Sequence, residues 1–257
     1  LVVLVHRRRF PIEMTPRDVI PRYWIDLLDE QAPVGVGFDL ATTTSKKSNP
    51  SSITVAQRDG YRTVERLTVR FRTDREAVSR LMLRTILEDL KARGCPIRRI
   101  CLDGTNERFF CERIQKEFSV FAPVDAIVAS EKPDPKRYPL AGEGNWKQYL
   151  GAGYAALYED ALIAIAPEEW LRKDRRSVLR DKGTFLNTLD EDGNHGDTWD
   201  SGKLARHALW RAGRASAEAA PVGGYASAAT APVPGHSQAY QSILARVQKA
   251  FTRRTHV

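Results

Sequence analysis

The stretch Val34-Gly35-Val36-Gly37-Phe38-Asp39 constrains the chain more than any other. Val34, Val36 and Phe38 alternate with Gly35, Gly37 and Asp39, the two-residue period of a β-strand. The apolar row points one way, so Asp39 sits on the opposite face, which the two glycines leave bare. A second apolar strand, Ile97 to Leu102, carries Asp103 at its C-terminal end. A third acidic stretch, His195-Gly196-Asp197-Thr198-Trp199-Asp200, opens the last helix of the domain, roughly His195 to Trp210.

The segments between these three set the topology. Ile53 and Val55 lie in a strand ending at Asp59-Gly60, a hairpin signal. Tyr61 to Phe71 returns as a third strand, alternating Leu67, Val69 and Phe71 with Arg66, Thr68, Arg70 and Arg72. Thr73-Asp74-Arg75-Glu76 reads as a capping box for a helix with Val78, Met82, Leu83, Ile86, Leu87 and Leu90 on its apolar face. Gly94 and Pro96 close that helix. Asn106 is the expected cap of a second helix through Phe110, Ile114 and Phe118, and Val124 to Ala129 is a fifth strand. Three antiparallel strands, then helix, strand, helix, strand, make an α/β fold with a mixed five-stranded sheet flanked by helices. Open sheets of this kind take ligands off the strand ends, where Asp39 and Asp103 are expected.

The rest of the chain divides by composition. Residues 1–32 read as an N-terminal linker or extension, with a short strand and the basic Arg7, Arg8 and Arg9. Residues 33–210 form the domain, with a less regular insertion at 131–194 that holds a helix near Tyr149 to Asp160 and a hairpin at Gly183-Thr184-Phe185. Ala, Gly, Pro and Ser dominate 211–239, a flexible linker by composition. A helical tail at 240–257 follows, with Ile243, Leu244, Val247 and Phe251 at helical spacing. The chain opens without a methionine, which suits a fragment or a processed product. Its apolar Leu1 to Val5 precedes the arginines, the wrong order for a secretory signal. No apolar run approaches the roughly 20 residues needed to cross a bilayer, so no membrane partner is expected. Cys95, Cys101 and Cys111 are odd in number and lack CxxC spacing, as for reduced, buried thiols of an intracellular protein.

A net charge of +8 over 257 residues suits a polyanionic partner. Magnesium prefers oxygen ligands, so a site for it needs several carboxylates close together. Asp39 and Asp103 end neighbouring strands in the expected topology, and Asp197 and Asp200, three apart, share one helix face. A set of three or four carboxylates on rigid elements suits two-metal hydrolysis of a phosphodiester. Each also has a plainer role: Asp39 as a cap for the Thr42–Thr43 loop, Asp103-Gly104 as a turn, and Asp197 as a helix N-terminal carboxylate. Asp200 reads as a first-turn helper ahead of a primary ligand, and His195 as a turn residue ahead of a ligand or proton shuttle. Candidate phosphate contacts are Lys46 and Lys47 beside Asp39, Arg66, Arg70 and Arg72 on the third strand, and Lys173, Arg175, Arg176 and Arg180 in the insertion.

Gly35-Val36-Gly37-Phe38-Asp39-Leu40-Ala41, Ile100-Cys101-Leu102-Asp103-Gly104 and His195-Gly196-Asp197-Thr198-Trp199-Asp200 together resemble the ribonuclease H-like superfamily. The resemblance is closest to the nuclease domain of large terminase subunits of tailed, Mu-like bacteriophages. It implies a metal-dependent endonuclease that cuts concatemeric phage DNA during packaging, with Asp39, Asp103 and Asp197 as the acidic triad and two Mg2+ or Mn2+ ions as cofactors. Asp200 departs from relatives with an aromatic or apolar residue there, leaving open whether Asp197 alone or the pair supplies the third ligand. Implied partners are double-stranded DNA, a portal or procapsid and a small terminase subunit, in the cytoplasm of the bacterial host. No GxxxxGK[ST] phosphate loop is present, so the motor ATPase of a large terminase either precedes Leu1 or is lacking in this relative. Two rivals remain: a Holliday-junction resolvase or transposase of the same superfamily, and a non-catalytic module that docks DNA or a portal.

Overall fold

The computed structural model describes residues 3–6, 15–41, 50–189 and 195–210. Arg7 to Arg9, Lys46, Lys47, and the linker and tail at 211–257 lie outside the described residues. One sheet contains β1 (Val3–His6), β2 (Val34–Asp39), β3 (Ser51–Asp59), β4 (Arg62–Phe71), β5 (Ile97–Asp103) and β6 (Val124–Ile127). Their spatial order is β1-β4-β3-β2-β5-β6, and β7 (Ile163–Ala164) also pairs with β4. The expected mixed five-stranded arrangement is its centre. β2, β3 and β4 run antiparallel, while β5 and β6 continue parallel to β2. β1 and β7 extend it, both parallel to β4.

Local chemistry explains most of the boundaries. Gly60, with φ +56°, supplies the left-handed turn between β3 and β4. α2 (Glu76–Ala92) and α3 (Arg108–Phe118) cross over on one face of the sheet. There Val34, Val36 and Phe38 pack with Met82, Leu83, Ile86, Leu90, Ile114 and Phe118 in the main core. Each such side chain contributes roughly 1.5–3 kcal/mol by leaving water. The cap positions differ from the sequence expectation. Arg75 is the N-cap of α2, and Thr73 Oγ1 accepts from the Arg75 N–H at 3.1 Å, tightening the turn before the helix. Glu107, not Asn106, is the N-cap of α3.

The described part of the N-terminal extension packs on the main core. α1 (Pro16–Val19) and a 3-10 turn (Arg22–Leu27) bury Ile20 and Trp24 completely in the main core. Asp89 of α2 ties them down, accepting from Trp24 Nε1 at 2.9 Å and from both terminal nitrogens of Arg17.

The insertion holds α4 (Trp146–Glu159), α5 (Glu169–Arg176) and the hairpin β8 (Val178–Asp181) and β9 (Thr184–Asn187). The basic run that includes Lys173, Arg175 and Arg176 is the last turn of α5, a helix the sequence reading missed. α6 (Asp197–Trp210) then covers the face of the sheet that Gly35 and Gly37 leave bare. Its backbone comes so near that a Cβ on Gly35 would lie 2.4 Å from the Ala205 carbonyl oxygen. Ser201 Oγ also hydrogen-bonds the hydroxyls of Ser52 at 2.9 Å and Thr54 at 2.8 Å, so β3 meets α6 with small polar side chains. Among the described residues no helix is long and apolar enough to cross a membrane.

Candidate functional site

Three elements bring carboxylates to one end of the sheet. In the parallel pairing of β2 with β5, Phe38 stands opposite Leu102, so Asp39 and Asp103 finish neighbouring strands. Both are half-buried. Asp103 Oδ1 accepts from the Thr105 N–H at 2.8 Å, so this carboxylate also holds the turn after its strand. The close seat of α6 on the two glycines of β2 brings the first turn of that helix, with Asp197 and Asp200, to the same end.

The start of α6 is fixed from outside by α5. Asp174 Oδ2 accepts from the Thr198 N–H at 2.9 Å and from Thr198 Oγ1 at 2.5 Å, while Asp174 Oδ1 accepts from Arg70 at 2.8 Å. The Thr198 amide, one of the unpaired N–H groups at the helix start, thus meets the carboxylate of Asp174 and not that of Asp197. Asp197 is only 1% exposed, and its Oδ2 is buried with no hydrogen-bond partner among the described residues. Before this turn, Gly196 at φ +79° sits against Val178 of the hairpin, where a Cβ would come within 2.3 Å of a methyl carbon. His195, half-buried, immediately precedes it.

Asp200 accepts from Asn187 Nδ2 of β9 at 2.9 Å and forms an ion pair with Lys203, one turn further along its own helix. Burial and the negative charges of Asp200, Asp103 and Asp197 push the Asp39 carboxyl well above the usual carboxylate range, against the pull of Lys203. Burial and the neighbouring Asp174 raise Asp197 likewise, opposed by Arg70. Burial disfavours the charge on Lys203, yet Asp200, Asp103 and Asp39 hold its ammonium above its ordinary pKa. Asp39, Asp103, Asp197 and Asp200 are therefore electrostatic neighbours.

Among the described residues no three His, Cys, Asp or Glu side chains stand close enough to make a ready-formed metal cage. The donor chemistry nonetheless suits a hard divalent cation, with oxygen ligands in like-charge proximity and one buried carboxylate oxygen without a partner. Nothing in the sequence pattern pointed to Asn187 or to the Asp174 latch. Lys203 stood in view at the i+3 position from Asp200, a spacing that pairs side chains on a helix.

The basic residues separate into two groups. Arg70 and Arg175 are buried and ion-paired, to Asp174 and to Glu65 respectively, so they are withdrawn from the set of phosphate contacts. Arg175 also donates to the hydroxyls of Tyr154 and Tyr158, in a buried polar network where Trp199 lies edge-on to Tyr154. Arg66 is half-buried and donates to Gln57 at 3.0 Å. Lys173, Arg176 and Arg180 are exposed, with Arg180 3.6 Å from Glu159.

No protein-family model and no curated protein sequence matches the chain. Among solved structures, it is similar to the nuclease domain of the large terminase subunit gp2 of bacterial virus Sf6, in a mutant form with manganese and β-thujaplicinol. The identity is 14% and the TM-score 0.47, over 76% of this chain and 99% of that one. It is also similar to the large terminase nuclease domain of bacteriophage SPP1 with bound Mn, at 17% identity and a TM-score of 0.40, over 70% and 87%.

Proposed function

We propose that the chain is a metal-dependent endodeoxyribonuclease, the nuclease domain of a large terminase subunit, which cuts double-stranded phage DNA during genome packaging. The observation that carries the reading is that β2, β5 and the first turn of α6 each bring a carboxylate to the same end of the sheet, in a chain of net charge +8. Asp39, Asp103 and Asp197 would hold two Mg2+ or Mn2+ ions, with Asp200 as a further oxygen donor. Such ions supply the charge that activates water and stabilises the leaving oxygen of a phosphodiester.

The residues of the chain do the rest. Burial and the charges of Asp200, Asp103 and Asp197 raise the proton affinity of Asp39. Asp174 and Thr198 hold the first turn of α6, where Asp197 Oδ2 has no hydrogen-bond partner among the described residues. Arg176, Arg180 and Arg66, with Lys46 and Lys47 after Asp39, are proposed to grip the DNA backbone; His195 is proposed as a helper at the edge of the site. A portal or procapsid and a small terminase subunit are the proposed partners, and the cytoplasm of a bacterial host is the proposed location. The test is nicking of supercoiled plasmid by the purified chain with and without Mg2+ or Mn2+, repeated on Asp103→Ala. Metal-dependent nicking that Asp103→Ala loses supports the reading; no nicking with either ion overturns it.

A further inference from the structure

Lys203 is a buried ammonium, 6% exposed, on the helix that carries two of the four carboxylates. A lysine is seldom buried without strong compensation, because its charge loses water. Here the compensation comes from the site itself. Its nitrogen is paired to Asp200, and Asp103 and Asp39 add their fields to the same group. The ion pair with Asp200, made inside the helix that opens on Asp197, places this one positive charge at the carboxylate end of the sheet. A divalent ion entering the cluster would seek the same oxygens that Lys203 neutralises.

We propose that Lys203 is the resident counter-cation of the acidic cluster, competing with divalent ions for its carboxylates and so setting the metal affinity of the site. The inference rests on the nuclease reading above. Before metal arrives, the ammonium keeps the carboxylate end of α6 seated beside β2 and β5. Once metal is bound, the same charge repels it. Lys203 thus lowers affinity while stabilising the empty fold.

The test is titration of the full chain with Mn2+ by calorimetry, together with melting temperatures with and without Mn2+, for wild type, Lys203→Met, Lys203→Gln and Lys203→Arg. Both neutral variants are expected to bind Mn2+ roughly tenfold more tightly or better. They should also melt lower without metal and gain more from Mn2+ than wild type, while Lys203→Arg keeps near wild-type affinity. Should Lys203→Met not fold, Lys203→Gln, which keeps a donor for Asp200, gives the same comparison. Unchanged or weaker affinity in the neutral variants, with melting lowered equally in both conditions, overturns the proposal and leaves Lys203 a structural pair for Asp200. Absence of Mn2+ binding in every protein, wild type included, overturns the nuclease reading and this inference with it.

Discussion

Gly37 of β2 and Ser201 of α6 meet backbone to backbone: a Cβ on Gly37 would lie 2.1 Å from the Ser201 carbonyl oxygen. The contact leaves no side chain that could turn aside, and the amide nitrogen of Ala205 lies 2.3 Å from the same point. Any larger residue must lift α6 from the sheet. Because Asp197 and Asp200 open that helix, the glycine acts on the site through packing.

Gly37→Ala is therefore expected to lower stability by about 2–3 kcal/mol, the upper part of the usual cost of overpacking. It should also weaken Mn2+ binding, although no carboxylate has changed. Urea denaturation and Mn2+ titration of the same preparation check both. Wild-type stability would show that the helix can shift freely, and the packing argument would fail.

The latch at the start of α6 gives a graded pair of variants. Thr198→Val removes the hydroxyl that donates to the Asp174 carboxylate and should cost about 1.5–3 kcal/mol. Asp174→Asn leaves Arg70 buried opposite a neutral amide and should cost about 3–5 kcal/mol. Denaturant midpoints for the two, compared with wild type, should fall in that order.

His207 predicts a pH dependence independent of the carboxylates. It is buried on α6 near the rings of Trp146 and Tyr138, and burial, with Arg206 and Arg99, depresses its pKa from 6.5 to about 3. Between those values the unfolded chain binds a proton that the folded chain refuses, so the folded state loses ground as pH falls. The expected loss from this group is about 1.4 kcal/mol per pH unit below roughly 6.5, ending near pH 3. His207→Phe should flatten that part of the acid limb, as read by urea unfolding at pH 7, 5.5 and 4.5. Parallel acid limbs in the two proteins would contradict the assignment.

Exposed and buried arginines should behave differently towards DNA. Arg176→Ala and Arg180→Ala are expected to weaken duplex binding uniformly across sequences and to lower the salt slope by about one per lost phosphate contact. Arg175→Ala is expected to destabilise the fold instead, since it leaves Glu65 buried without its cation. Fluorescence anisotropy across a salt series, alongside thermal melts, separates the two effects.

Periodicity made the sheet readable in advance. Alternating residues in β2 and β4, the apolar stripe of α2 and the Gly94 stop each state their structure locally, and the chain order of these elements fixed the strand order. The bare glycine face of β2 was readable too, though not the helix that fills it, because α6 arrives from more than 150 residues away. The insertion was least readable. α5 carries Lys173, Asp174, Arg175 and Arg176 in succession, and a run of charges looks like a solvated surface unless its partners are known. Asp174 and Arg175 instead find Arg70 and Glu65 on β4, about 100 residues earlier. Charge alone cannot report such pairing, which is how Arg70 and Arg175 came to be expected at a DNA surface.

Plasmid nicking by Asp39→Asn in Mn2+ tests the central claim most directly. Asparagine is nearly isosteric and spares the β2 register with β3 and β5, so the fold should persist by circular dichroism and melting. The account predicts a folded protein that leaves supercoiled plasmid intact where wild type nicks it; a folded Asp39→Asn that nicks at the wild-type rate would contradict it.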